Sequence, residues 1–315
     1  MMPTLPPRIA AVVPTHNRKD LLGRCIQGLL NQDWPLDAIL IVDNASTDGT
    51  AEMLSAHFPR VVHIRLAHNI GSSGGFSEGI KRAFADGYDW IWIMDDDAEP
   101  QSNTLKLLLE AANCLCQPAI MVCPLVVHGS SGKTQIYHHH KIGRWFKQGH
   151  IAATQLSAEN ATLVKLDSNA FVGPLFHRTG VEQFGLPLKE YFLLVDDLEY
   201  TYRFAQKSGC YLVPGARILH HDNPGRSIVK RYYQIRNYIH FLTRRVPLFC
   251  ADKRYLKLRI AGGLLVTLIL AIRSSVWAVI GRRYQEALPR LRAGLLLLQG
   301  ILDGMRGKLG MRDLF

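Results

Sequence analysis

Four short apolar runs, each followed by a stretch with helical spacing, fill the first hundred residues and leave few folds open. Ile9–Pro14, Ala38–Val42, Val61–Leu66 and the run from Trp90 to Met94 read as strands. Between them, Lys19–Asn31 places Leu21, Leu22, Cys25 and Leu29 at helical intervals. A second helix runs to about His57 after the N-cap-rich Ala45-Ser-Thr-Asp48-Gly, and a third covers Ser77–Ala85. Strands alternating with helices build a parallel sheet with right-handed crossovers. Ligands of such sheets bind at the carboxyl ends of the strands.

Three polar signals fall at that edge. Asp43-Asn44 closes the second run. The segment Asn69-Ile-Gly71-Ser-Ser-Gly74-Gly75-Phe76 precedes the third helix. Asp95-Asp96-Asp97 ends the Trp90 run, with Pro100 blocking further pairing. Adjacent acids repel one another, and hard oxygen ligands suit Mg2+ or Mn2+, which in turn can hold a diphosphate. A solvated acidic turn is the bland reading of the triplet alone. The glycine segment is neither a GxGxxG fingerprint nor a P-loop. It reads as a loop, either approaching a sugar or phosphate or simply turning tightly.

Further along, Ser102–Cys114 reads as a helix and Ala119–Val127 as a strand. The segment 128–160 loses periodicity and reads as a polar loop, a flap over the site being one use for it. It contains His138-His139-His140, which cannot all point one way, so metal binding there is not expected. Ala161–Val172 returns to strand character. Tyr191-Phe-Leu-Leu-Val195 again ends in acids, Asp196-Asp197-Leu-Glu199, followed by a helix. A capping box accounts for Asp196 and Glu199 but not Asp197, which is a candidate general base. Two short strands around the turn Pro214-Gly215 lead to His220-His221-Asp222, where His220 is a candidate metal ligand.

Charge divides the chain. Of its 37 Lys/Arg, 18 lie in residues 226–315, against 4 of the 26 Asp/Glu. The pattern implies a near-neutral catalytic domain, residues 1–225, and a basic helical region, 226–315, for an anionic surface. Within the latter, Arg231–Arg245 reads as a basic amphipathic helix. Ile260–Gly281 is long enough to span a bilayer, but Arg273 near its middle makes a helix lying in the interface the favoured reading. No nucleic-acid-binding module is recognisable, and the near-neutral first 225 residues argue against nucleic acid as a partner. A two-metal phosphohydrolase would need paired ligands beyond the clusters named. The six cysteines include no CxxC pair and are expected to be reduced and buried. Met1–Pro7 is proline-rich and lacks the apolar core of a signal peptide.

Taken together, Val13-Pro-Thr15-His-Asn-Arg18, Val42-Asp43-Asn-Ala-Ser-Thr-Asp48, the Asp95-Asp96-Asp97 triplet as a DxD motif, and Asp196-Asp197-Leu-Glu199 resemble family 2 glycosyltransferases over roughly Ile9 to Asp222. Asn69-x-Gly-x-x-Gly-Gly-Phe76, Met94-Asp-Asp-Asp-Ala98, Pro214-Gly-x-x-Ile-x-His220 and Tyr232-Tyr-Gln-Ile-Arg236-Asn237 look like the branch of bacterial galactofuranosyltransferases and rhamnosyltransferases. Rhamnosyl members often carry glutamine between the outer aspartates, so Asp96 favours the galactofuranosyl side. The resemblance implies a GT-A fold: α/β, Rossmann-like, with a mostly parallel central sheet, a donor half of about 1–125 and an acceptor half of about 126–225. It implies an inverting, Mn2+- or Mg2+-dependent transferase using UDP-galactofuranose, or alternatively dTDP-rhamnose. The acceptor would be a polyprenyl-diphosphate-linked or other glycan of surface polysaccharide, such as O-antigen. The place would be the cytoplasmic face of the bacterial inner membrane, peripherally bound. By the same resemblance Thr15 and Asp43 line the nucleoside site, Asp95 and Asp96 meet the donor, Asp97 and His220 hold the metal, and Asp197 is the base. Arg236 and Asn237 assist the diphosphate.

Overall fold

The computed structural model describes residues 6–115, 120–142, 148–150, 163–221, 227–246 and 284–312, with a few positions between 262 and 273. The first half alternates as β1 (Ile9–Thr15), α1 (Lys19–Leu30), β2 (Ala38–Asp43), α2 (Thr50–His57), β3 (Val62–Arg65), α3 (Gly71–Ala85) and β4 (Trp90–Ile93). It continues with β5 (Ala98–Pro100), α4 (Thr104–Leu115), β6 (Met121–His128), β7 (His139–Ile142), β8 (Gln148–His150), β9 (Val164–Leu166), β10 (Ser168–Asn169) and β11 (Leu175–His177). Then come α5 (Thr179–Phe184), α6 (Asp196–Lys207), β12 (Cys210–His220), α7 (Ile228–Arg244) and α8 (Tyr284–Arg306).

The main sheet runs β3-β2-β1-β4-β11-β6-β12-β5, with β9 on β12. β1 is parallel to both β2 and β4, and β2 to β3. β11 enters antiparallel between β4 and β6, so the sheet is mixed beyond its first four strands. The strand order reverses between β1 and β4, which opens a crevice at their carboxyl ends.

The central strands β1, β2, β4 and β6 are buried on both faces because helices cover both, whereas the edge strand β3 is largely exposed. In β1, Ile9, Ala11 and Val13 join one apolar layer with residues of α1 and α4, while Ala10 and Val12 join the other with Phe76 and Ile80 of α3. This period of two explains why the run is continuously apolar rather than alternating. Each fully buried Val or Ile contributes about 1.5–3 kcal/mol.

Several local expectations change. The glycine segment is not a loop: Gly71 already begins α3. A Cβ on Gly75 would stand 2.8 Å from Pro14 Cβ and 2.9 Å from Asn44 Nδ2, and one on Gly79 would run into Val12 and Val42. These glycines let α3 lie directly on β1 and β2, which is a packing requirement. The 128–160 segment is not simply a loop either. Its described part supplies β7 and β8 to a second sheet of order β10-β7-β8, and His138, His139 and His140 are all buried. The expected strand Ala161–Val172 is broken into β9 and β10, and the two short strands expected around Pro214-Gly215 form one strand, β12. Its register against β6 shifts between Val213 and Arg217, and that irregularity accommodates a proline without a backbone donor. Cys25, Cys123 and Cys210 are buried and free as expected, whereas Cys114 is exposed.

The chain divides into two units: residues 1–189 with 197–223, and residues 190–196 with 224–315. In the second unit α7 packs along α8. The face of α7 bearing Tyr232, Tyr233, Arg236, Asn237, Ile239, Phe241 and Leu242 is buried there. The amphipathic face expected to meet lipid is therefore used inside the unit. Among the described residues no helix is long and apolar enough to cross a membrane. The 260–281 run lies almost wholly outside the described residues.

Candidate active site

The first acidic cluster sits at the crevice because β4 ends just before it and β5 begins just after it. β5 pairs antiparallel with the end of β12, setting His220 opposite Ala98. The His221 amide donates to Asp97 O across 2.9 Å. This register brings His220, distant in sequence, beside the acids. From the other side β1 delivers Thr15, whose Oγ1 donates to Asp96 Oδ2 at 2.7 Å. Arg18, in the loop after β1, bridges two acids, with Nη1 2.7 Å from Asp96 Oδ1 and Nη2 2.9 Å from Asp97 Oδ2.

The electrostatics separate the acids. Burial pushes the Asp96 carboxyl up to about 6, although Arg18 and Thr15 act against it. Burial also works upward on Asp97, but His220 and Arg18 at its two oxygens outweigh it and bring it down to about 2. Asp97 is therefore a carboxylate at any working pH. Burial opposes the charge of Arg18, yet Asp96, Asp97 and Asp95 prevail and hold it cationic.

Asp95, Asp97 and His220 offer ligand atoms that all lie within 4.8 Å of one another. Asp97 Oδ1 is buried and accepts no hydrogen bond. It lies 3.3 Å from His220 Nε2, a contact not aligned as a hydrogen bond. Leaving such an oxygen dry and unbonded is costly. Two carboxylates and an imidazole converging on one point fit a divalent ion such as Mn2+. Asp95, expected at the donor, stands with the ligand group.

His220 is held from behind. Gln135 Oε1 lies 3.0 Å from His220 Nδ1 and 3.2 Å from His138 Nε2. Burial, and then the neighbouring His220, His139 and His140, push His138 down to about 2, so it is neutral. The other two histidines serve structure. His139 Nδ1 lies 2.6 Å from Asn169 Oδ1, and His140 Nδ1 2.9 Å from Ser168 Oγ.

Asp43 and Asp197 have partners of their own, Asp43 lying opposite Thr15 in the β1–β2 register. Asp43 closes β2 fully buried, its Oδ1 accepting from Ser46 N at 2.7 Å and its Oδ2 facing His63 at 3.3 Å and Arg65 at 3.4 Å. Asp197 lies in the first turn of α6, its Oδ1 accepting from Leu198 N at 2.7 Å. Burial pushes its carboxyl up to about 6. Thr201 Oγ1 donates to Asp197 O and accepts from Asn169 N, tying that turn to β10. Glu199 pairs with Arg203 one turn on, at 2.9 Å.

Arg236 and Asn237, expected at a diphosphate, are fully buried in the second unit and have backbone partners instead. Asn237 Nδ2 donates to the carbonyls of Tyr191, Leu193 and Leu194 at 2.8–3.0 Å. Arg236 donates to the carbonyls of Tyr191 and Gly310. They clamp a turn in which Phe192, Leu194 and Val195 take φ of 65°, 65° and 68°, a left-handed conformation that such side chains rarely adopt.

Sequence reasoning assigned no role to Arg18, Gln135 or His138. Arg18 was legible as the one cation of the β1 loop motif. Gln135 and His138 carried no local signal, because only the fold brings them behind His220.

The profile described as "Glycosyl transferase family 2" matches residues 10–170, from β1 through Asp95–Asp97 to β10, and stops short of His220. The chain belongs to glycosyl transferase family 2. Within that family it is 28% identical over 201 residues to "Galactofuranosyltransferase GlfT1" of Mycolicibacterium smegmatis, covering 63% of this chain and 65% of that protein. The namesake of Mycobacterium tuberculosis (strain ATCC 25618 / H37Rv) is 27% identical over 197 residues, 61% of this chain and 62% of that protein. The chain thus matches just under two thirds of the length of these relatives. Among solved structures, "Mannosyltransferase PcManGT from Pyrobaculum calidifontis in complex with GDP-Man and Mn2+" has a TM-score of 0.55 at 16% identity, covering 97% of this chain and 89% of that one. "GalNAc-T7 with UDP, GalNAc and Mn2+" gives 0.58 at 15% identity, over 75% and 47%. At such identity the likeness speaks for the fold alone: the chain has the GT-A architecture, followed by C-terminal helices.

Proposed function

We propose that the chain is a metal-dependent, inverting hexosyltransferase that moves galactofuranose from UDP-galactofuranose to a lipid-linked glycan of surface polysaccharide. The observation that carries the reading is the convergence of Asp95, Asp97 and His220 around a buried carboxylate oxygen that accepts no hydrogen bond. They lie at the strand-order reversal, where a nucleotide is expected. A divalent ion held by these three residues supplies charge neutralisation for a nucleoside diphosphate leaving group. Arg18 adds a fixed cation to the same cluster, and Thr15 holds Asp96 in place. Asp43, with Arg65 and His63 at its carboxylate, shapes the end of β2 for the nucleoside.

Asp197 is the general base. Its carboxylate takes the proton of the acceptor hydroxyl while that oxygen attacks C1 of the sugar, and the C1–O bond to the diphosphate breaks. One displacement inverts the anomeric centre. A carboxyl raised to about 6 is well matched to this task near neutral pH. Arg236 and Asn237 act on the backbone just before it rather than on the donor.

The similarity to galactofuranosyltransferases favours UDP-galactofuranose over dTDP-rhamnose. The basic residues of 226–315 support peripheral binding to anionic lipid at the cytoplasmic face of the membrane, where a polyprenyl-linked acceptor would be met. Assays of sugar transfer from UDP-galactofuranose and from dTDP-rhamnose to a polyprenyl-diphosphate-linked acceptor, with Mn2+ present, test the reading. Transfer of galactofuranose with inverted configuration is expected. Transfer of rhamnose alone would overturn the donor, and retention of configuration the mechanism.

A further inference from the structure

We infer that Gln135 is a positioning residue for the metal site, fixing the His220 ring so that Nδ1 carries the proton and Nε2 offers its lone pair to the ion. The inference rests on the metal reading of Asp95, Asp97 and His220.

Three observations carry it. First, Gln135 is buried and reaches His220 Nδ1 with its carbonyl oxygen, Oε1, at 3.0 Å. A carbonyl oxygen only accepts, so the bond requires a proton on Nδ1. Second, the same Oε1 meets His138 Nε2 at 3.2 Å, and the His138 ring stands edge-on to the His220 ring at 4.9 Å between centroids. An oxygen receiving two N–H groups is pinned on both sides and cannot swing away from His220. Third, on the far side of the ring Nε2 and Asp97 Oδ1 lie 3.3 Å apart without the alignment of a hydrogen bond. Nε2 and this oxygen thus face the point on which the Asp95 carboxylate also converges.

The support is also rigid. The Gln135 backbone N–H donates to Val126 O at 2.9 Å, on β6, and β6 pairs with β12 in a register that sets His128 opposite His220. Gln135 and His220 are thus hung on neighbouring strands of one sheet. A metal-bound histidine oriented through its second nitrogen binds more tightly than a free-swinging one, and loss of the outer partner typically costs 10–100-fold in affinity.

The test uses the full chain and Mn2+ alone, its free concentration read by electron paramagnetic resonance. Gln135→Met keeps the size but removes the acceptor, and Gln135→Glu keeps an acceptor. The expected result is a 10–100-fold weaker Mn2+ dissociation constant for Gln135→Met and near wild-type affinity for Gln135→Glu. In parallel, long-range 1H–15N correlation of the histidine rings in metal-free protein at about pH 8.5, above the ordinary imidazole range, reads the tautomer. Wild type should show His220 protonated at Nδ1, a signature that Gln135→Met loses. A proton on Nε2 in wild type, or unchanged Mn2+ affinity in Gln135→Met, would overturn the inference. Asp97→Ala and His220→Ala are the controls for the underlying reading. If they weaken Mn2+ binding and Gln135→Met does not, the Gln135 role fails alone. If they leave it unchanged, the metal site itself fails.

Discussion

Thr15 Oγ1 donates to Asp96 Oδ2 across 2.7 Å, joining the carboxyl ends of β1 and β4 at the point where the strand order reverses. Both residues are buried. Thr15→Val keeps the shape and leaves a buried acceptor short of one donor. It should cost about 1–3 kcal/mol of stability. The check is a denaturant or thermal melt, where a drop of about 2–4 °C per kcal/mol is expected for a domain of this size.

Asp197→Asn should leave UDP and Mn2+ binding intact while lowering turnover by about 10²–10⁴. Steady-state kinetics beside calorimetry separates the two. Equal loss of binding would instead place Asp197 in the donor site.

The pH profile follows from the same carboxyl. Its pKa is raised from the ordinary carboxylate range to about 6, and the base works only when ionised. Transfer should therefore be full above about pH 7 and fall as pH drops through 6, about tenfold per unit below it. Asp97, at about 2, stays ionised throughout and contributes no limb in this window. A profile flat from pH 7 to pH 5 would contradict the assignment of Asp197.

Asn237→Ala removes one side chain that satisfies three carbonyls of a left-handed turn. Each strained residue of that turn costs about 1–3 kcal/mol and persists only under such restraint. The substitution should lower stability by roughly 1–3 kcal/mol and reduce turnover more than donor affinity, because the turn leads directly into Asp196-Asp197. Proteolytic nicking between residues 190 and 196, faster than in wild type, would register the release.

Much of this fold was legible because its signal is local. Strand β1 is a continuous apolar run since helices cover both of its faces, and the Asp95–Asp97 triplet ends β4 abruptly. What escaped reading depended on contacts distant in sequence. Gly71, Gly74 and Gly75 looked like a loop because sequence does not display the packing of this turn of α3, such as Pro14 and Asn44 against Gly75; Gly79, expected in the helix, meets Val12 and Val42. The true role of Gly75 and Gly79 is to admit α3 to the sheet. The three histidines looked like solvated loop because burial of His139 and His140 relies on Asn169 and Ser168, about thirty residues away. Arg236 was set at the diphosphate by the family resemblance, and the carbonyls of Tyr191 and Gly310 to which it donates are not visible in sequence. Asp97 and His220 were legible as candidates, but the pairing of β5 with β12 that joins them, and Gln135 behind them, emerge only in three dimensions.

The most direct measurement is calorimetric titration of the wild-type chain and of Asp97→Ala with UDP, each with and without Mn2+. UDP binding that requires Mn2+ in wild type, and is lost in Asp97→Ala, is the expected result. UDP binding of equal strength with and without Mn2+, or unchanged in Asp97→Ala, would contradict a metal-held diphosphate at the Asp95, Asp97 and His220 site.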